Sequence, residues 1–336
     1  MLLNLIWGLN PQSLAEADWI HWLFSKFEVE DHITPGWDLF RGNSIYIVSG
    51  PLARLPSRFL EGIKGVQRKG LFHLSDESFV GGYDIYAAFD FVLRNYYSSI
   101  FQNAGIRTVP LGFTNEMMGL YPTPPANERR FLWSFAGFKR AARLDMFEHF
   151  KSLQPYQCYF FGDKVGQPWL NRTQFRALLS NSVFSPCPMG NTVLESFRIY
   201  ESLEMQCIPI LERRRWMPYY DCLMPGHPLP TFSSWRKAAQ FVKAVARDQA
   251  WMVACQHDIA AWWQQYKIRL RENVSSFVSL GLDGSFQSSL IQDWHCRRGV
   301  RHQVWRLGEL LKHASTASLQ ERVGITTRRV IVRARS

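Results

Sequence analysis

With 336 residues the chain exceeds the size at which one hydrophobic core stops growing, so two domains of about 130–180 residues are expected. Hydrophobic residues make up 46% and aromatics 15%, which excludes wholesale disorder, and a formal charge of +11 suits either an anionic partner (nucleic acid, a phosphorylated small molecule or an anionic membrane face) or simply a soluble basic surface. The six cysteines are scattered, with no CxxC pair and no zinc-type Cys/His cluster, and read as small buried hydrophobes in a reducing cytoplasm.

The opening MLLNLIWGLN has no basic n-region and runs into polar sequence, so it reads as a first strand and not a signal peptide. Residues 13–27 follow with Leu14, Ala17, Ile20, Trp22, Leu23 and Phe27 at helical spacing. SIYIVSG (44–50) is the second predicted strand, its continuous apolar run suiting a sheet buried on both faces. Residues 51–65 look helical, GLFHLSDE (70–77) looks like a strand entering a polar loop, FDFVLRNYY (89–97) like another, and RTVPLGF (107–113) closes the series.

The proline-rich, charged stretch YPTPPANERR (121–130) reads as a linker. The alternation then restarts. FLWSFAGF (131–138) is strand and turn, 139–152 a helix, QCYFFGD (157–163) a strand, and residues near Arg172 a helix. VFSPCP is strand and loop, ESFRIYESLEM a helix, and CIPIL (207–211) a strand. Strands separated by helices imply right-handed βαβ crossovers and parallel sheets. The expected fold is therefore α/β with two Rossmann-like domains facing a cleft and a helical C-terminal region: residues 1–122, residues 131–290, and a helix with a basic tail over 291–336. The clearest helical pattern covers 235–272, where Trp251, Trp262 and Trp263 read as packing residues before they read as a sugar platform.

Residues 185–210, SPCPMGNTVLESFRIYESLEMQCIPI, carry the most chemistry. A Pro/Gly loop between strand and helix offers backbone N–H groups and a positive helix end to an anion. Arg198, one turn in, can hold phosphate bidentately, and Glu201, three residues on, can accept from a ribose diol. Spacing alone favours a salt-bridged surface helix, with Glu195 capping or bracing it.

The pattern P-x-G, then S-F-R-I-Y-E-S-L, then C-I-P-I, carried by Pro188, Gly190, Ser196 to Leu203 and Cys207 to Ile210, resembles the donor-site signature of the exostosin-like glycosyltransferases, with a flavour of their ribitol-phosphate xylosyltransferase branch. GLFHLSDE with FDFVLRNYY, and VPLGF followed by WSFAG, are similar to the same group in the same order, so the likeness runs from about residue 70 to residue 211. Gln206 replaces the small residue that usually precedes the cysteine. The resemblance implies a GT-B fold in which the second domain holds a nucleotide-sugar donor and the first an acceptor. It implies Arg198 on the diphosphate, Glu201 on the ribose, and Gly137 with Lys139 or Arg143 adding phosphate contacts; Lys139 and Arg143 read equally as surface charges.

A metal-dependent enzyme of the GT-A type needs a carboxylate pair such as Asp-x-Asp, which occurs nowhere here, so no metal and no resident cofactor are expected. Inversion needs a general base near the acceptor hydroxyl, for which Asp76, Glu77 and His73 at the end of the third predicted strand are the candidates, with Asp84 outside them; a helix cap is the other reading of the same residues. The expected reaction transfers a sugar, most simply from a UDP-sugar, to a cell-surface glycan such as lipopolysaccharide or capsule, free or lipid-linked. The alternatives are a fucosyltransferase-like enzyme using a GDP-sugar and a nucleic-acid-binding protein. Against the latter, no zinc-finger spacing, RNA-binding aromatic motif or basic helix stripe occurs. The basic residues concentrate only in the tail, at Arg328, Arg329, Arg333 and Arg335, which read either as a solvated end or as a peripheral contact with anionic lipid at the inner membrane face.

Overall fold

The first six strands form one parallel sheet in the order β2-β1-β3-β4-β5-β6, with β1 at Leu2–Trp7, β2 at Glu28–Ile33, β3 at Ser44–Ser49, β4 at Lys69–Leu74, β5 at Phe91–Arg94 and β6 at Ile106–Thr108. The computed structural model describes residues 1–11, 14–119, 123–162, 170–286 and 300–315, with side chains in the last segment from 303 onward. β1, β3 and β4 are buried almost throughout, as their uninterrupted apolar sequences require of strands covered on both faces. Two short helices, α1 (Ala17–Leu23) and α2 (Ser57–Ile63), supply part of that cover through Trp19, Ile20, Leu23, Phe59 and Ile63.

One strand of this sheet departs from the sequence reading. The helix expected over 13–27 ends at Leu23, and EVEDHI forms the edge strand β2, paired with β1 from Leu2↔Glu28 to Trp7↔Ile33. An edge strand needs only one ladder, and charged residues on its open side discourage pairing with other chains, so its sequence carries no apolar run. Asp31 fixes it inward, accepting from Trp7 Nε1 at 2.6 Å and standing 2.9 Å from His21 Nε2.

The second sheet is also parallel, ordered β11-β10-β9-β7-β8, from β7 (Phe131–Phe138), β8 (Tyr156–Phe161), β9 (Ser182–Cys187), β10 (Ile208–Glu212) and β11 (Thr231–Phe232). Helices α3 (Ala141–Phe150), α4 (Arg172–Ser180) and α5 (Phe197–Glu204) are the crossovers. After β10 come α6 (Tyr219–Leu223), α7 (Trp235–Val245), the 34-residue α8 (Gln249–Leu282) and α9 (Val300–His313).

The chain divides into two compact units, one of Met1–Met118, Tyr220–Pro225 and Gln264–Leu310, the other of Gly119–Tyr219, Gly226–Trp263 and Leu311 onward. The first unit thus takes in residues from Gln264 that the sequence reading gave to the second domain and to the C-terminal segment. Part of the expected linker is packed: Arg129 is buried and donates to the carbonyls of Pro124, Ser182 (2.7 Å) and Met205. The three tryptophans pack as expected, Trp263 fully buried with its Nε1 donating to Glu204 Oε1 at 2.7 Å, Trp262 beside it, and Trp251 edge-on to Phe241. No described helix is long and apolar enough to cross a membrane, and the basic tail beyond 315 lies outside the described residues.

Candidate functional site

In the second sheet the chain leaves β7 for β8 on one side and returns to build β9, β10 and β11 on the other. The connections after β7 and β9 therefore diverge at the strands' carboxyl ends, and open parallel sheets bind ligands in the crevice formed there. Both segments singled out in the sequence lie at this point. β7 ends in Ala136, Gly137 and Phe138; the loop Pro188–Ser196 follows β9 and leads into α5.

Arg198 joins them. Its Nη2 donates to the Ala136 carbonyl at 2.6 Å, its guanidinium lies 4.4 Å from the Phe135 ring centroid, and its Nε is buried with no hydrogen-bond partner. Gly137 is needed for this approach, because a Cβ there would stand 2.6 Å from Arg198 Nη2. Burial pushes the Arg198 pKa down, against the pull of Cys187, Glu201 and Cys158 around it. At the start of α5, Ser196 is the N-cap residue but makes no side-chain cap, and its hydroxyl is buried without a partner. An uncapped helix end, an orphaned hydroxyl and an orphaned guanidinium N–H thus converge on one strand end, a donor set suited to phosphate oxygens.

The rest of the loop is built for rigidity. Gly190 N–H donates to Val193 O at 2.8 Å, and a Cβ on Gly190 would meet Glu195 O at 2.7 Å. Pro188 is buried, Met189 N–H donates to Glu212 Oε2, and Leu194 N–H donates to Nδ1 of the buried His313 at 3.1 Å. Glu195 is a brace: its two carboxylate oxygens accept from Tyr200 Oη at 2.5 Å and Tyr219 Oη at 2.7 Å. Glu201 is buried one turn beyond Arg198, with Arg172 Nη1 3.8 Å from its Oε1. Lys139 is exposed just past β7, whereas Arg143 is buried and folds back to donate to Phe138 O at 3.1 Å, which makes it a support of the turn. At the far end of α5, Gln206 holds a left-handed φ of +51°, with Gln206 N–H on Leu203 O and Cys207 N–H on Ser202 O. That is the paired bonding of a Schellman ending, so the turn forms with Gln206 in place of the usual small residue.

Asp76 and His73, expected as proton acceptors, belong to a buried network in the first unit. Asp76 accepts from Tyr83 Oη at 2.5 Å, from Val80 N–H at 3.0 Å and from Arg94 Nη2 at 3.4 Å. His73 donates Nε2–H to Gly50 O and accepts the Tyr86 hydroxyl at Nδ1, and burial pulls its pKa down to about 4. Arg94, fully buried, lies 3.6 Å from the Phe101 ring centroid and stays charged, since Tyr86, Tyr83 and Asp76 outweigh the cost of burial. An engaged carboxylate and a neutral imidazole with both nitrogens bonded hold the loop after β4 in shape and do not serve as free bases. Glu77 is half-buried and Asp84 exposed. Arg94 was missed in the sequence, although a lone arginine inside the apolar run FDFVLR is the signal of a buried charge needing partners.

No family model matches the chain, and no curated protein matches it. Solved structures do. The crystal structure of an α1,3-fucosyltransferase aligns with a TM-score of 0.52 and 12% identity over 84% of this chain and 90% of its own. The DNA-modifying enzyme β-glucosyltransferase, described with and without its substrate uridine diphosphoglucose, aligns with a TM-score of 0.50 and 10% identity over 83% of this chain and 100% of its own. At such identity the likeness is one of fold: two parallel α/β sheets with a helical C-terminal region, the GT-B arrangement.

Proposed function

We propose that this chain is an exostosin-like glycosyltransferase that moves a sugar from a nucleotide-sugar donor, a UDP-sugar in the first instance, to a glycan acceptor with inversion at the anomeric carbon. The observation that carries the reading is Arg198, a half-buried arginine whose guanidinium is fixed on Ala136 O and whose buried Nε has no partner, beside the uncapped start of α5 at the switch point of the second sheet. Arg198 and the helix end would bind the diphosphate and stabilise it as it leaves, which is where charge develops as the glycosidic bond to phosphate breaks. Glu201 would accept the ribose hydroxyls, and Gly137, Gly190 and Pro188 would keep backbone close to the phosphates. Lys139 adds an exposed charge nearby, and Arg143 acts by holding the turn. With these groups on the leaving diphosphate, transfer proceeds without a divalent ion. The acceptor is a cell-surface glycan, free or lipid-linked, reached from the cytoplasmic face, with the basic tail held to anionic lipid.

A GDP-sugar is the second reading, because the groups placed on the diphosphate leave the base unspecified. A thermal-shift screen of UDP-, GDP- and CMP-sugars in EDTA tests both. Stabilisation by one nucleotide class identifies the donor base; stabilisation by none overturns the proposal.

A further inference from the structure

We propose that Glu16 is the general base that takes the proton from the acceptor hydroxyl; this rests on the glycosyl-transfer reading above. In the first sheet the chain leaves β1 for β2 on one side and then builds β3 to β6 on the other, so its switch point lies between β1 and β3. The ligand crevice of this sheet is therefore formed by the connections after β1 and β3. Glu16 lies in the first of them, immediately before α1. The loop of Asp76 and Glu77 follows β4, one strand further away.

The carboxyl group is built in, not accidental. Glu16 is 4% exposed and its Oε1 is buried with no hydrogen-bond partner, a costly arrangement for a carboxylate unless a ligand completes it. The backbone on both sides is pinned by one residue from the segment after β6. Asn115 N–H donates to Ala15 O at 2.6 Å, its side-chain amide donates to Leu14 O at 2.7 Å, and its Oδ1 accepts Asp18 N–H at 3.0 Å. Trp19 Nε1, donating to Pro110 O, ties α1 to the same segment. The charged side chains on the bonded segments are Asp18, whose Oδ2 accepts Glu116 N–H, and Glu116 itself. Neither sets the proton affinity of Glu16: burial raises its pKa to about 7, with only its own backbone N–H opposing. A carboxyl that gains and loses its proton near neutrality is matched to general-base work.

In the step itself the acceptor oxygen forms a bond to the anomeric carbon. The bond from that carbon to the phosphate oxygen breaks with its electron pair leaving on the nucleoside diphosphate. The acceptor proton passes to the Glu16 carboxylate and later to solvent.

The test uses the full chain and whichever nucleotide sugar most stabilises it, with water as acceptor and release of nucleoside diphosphate as readout, for wild type, Glu16→Gln and Glu77→Gln. The proposal expects Glu16→Gln to keep the thermal shift, lose turnover about 100-fold or more and lose a rising limb of kcat/KM centred near pH 7. Glu16→Ala, which opens the same position, should regain part of its turnover in formate. Retained donor binding with unchanged turnover and pH profile in Glu16→Gln overturns Glu16 alone, as does loss of turnover confined to Glu77→Gln. Failure of every nucleotide sugar to stabilise the wild type instead overturns the donor reading beneath it.

Discussion

Arg198 reaches across from α5 to donate its Nη2 to the carbonyl of Ala136 at 2.6 Å, and the absence of a side chain on Gly137 is what admits it. A methyl group on Gly137 would displace the mobile end of a side chain, not the backbone, so Gly137→Ala should fold with little loss of stability. Its nucleotide-sugar affinity should fall about tenfold or more, because a charge-assisted contact of roughly 1.5–3 kcal/mol is misaligned. Melting temperature and donor titration on the same variant separate the two effects.

Glu195, read in the sequence as a cap or brace of the helix, anchors two tyrosine hydroxyls. Glu195→Gln keeps the shape but turns an amide NH2 toward one hydroxyl, leaving a buried polar group poorly paired. Urea unfolding should show a loss of about 1–3 kcal/mol. A stability equal to wild type would contradict the bracing role.

Gln206 pays a conformational penalty at φ +51° that glycine would not. A non-glycine residue there costs about 1–2 kcal/mol, partly offset by glycine's greater freedom in the unfolded chain. Gln206→Gly should therefore stabilise the protein by about 0.5–1 kcal/mol and leave donor binding unchanged, measured by chemical denaturation and titration.

The buried carboxyl of Glu16 also gives stability a pH dependence. Its pKa rises from an ordinary 4.5 to about 7 on folding, so the folded chain holds the proton more tightly than the unfolded one. The resulting stabilisation is complete below about pH 4.5 and is lost as pH climbs through about 7, by about 3 kcal/mol in all. Comparing wild type with Glu16→Gln at pH 5 and pH 8 should show the variant gaining on wild type at the higher pH. A constant difference would contradict the raised proton affinity.

The buried parallel strands were legible because a strand covered on both faces must be apolar throughout; SIYIVS, GLFHL and IPIL read directly as such. The edge strand Glu28–Ile33 was not, since an edge needs no apolar run, and missing it hid the switch point between β1 and β3 on which the reading of Glu16 depends. The second sheet was read strand by strand except for the two-residue β11, and its Pro/Gly loop and Arg198 stood out by motif. Sequence could not reveal that Asp76 and His73 are satisfied by Tyr83, Tyr86 and Arg94, because those partners come from 7 to 18 positions on from Asp76 and 13 positions on from His73. Nor could it reveal that Glu16 Oε1 has no partner, a property of the folded surroundings alone.

The most direct test of the donor site is a calorimetric titration of the stabilising nucleotide sugar into wild type and Arg198→Ala, both in EDTA. Removing the guanidinium should weaken binding about 10- to 100-fold at unchanged fold, as expected for loss of a charge-assisted phosphate contact. Equal affinity in the two proteins, or binding by the wild type that vanishes in EDTA, would contradict a metal-independent diphosphate site built on Arg198.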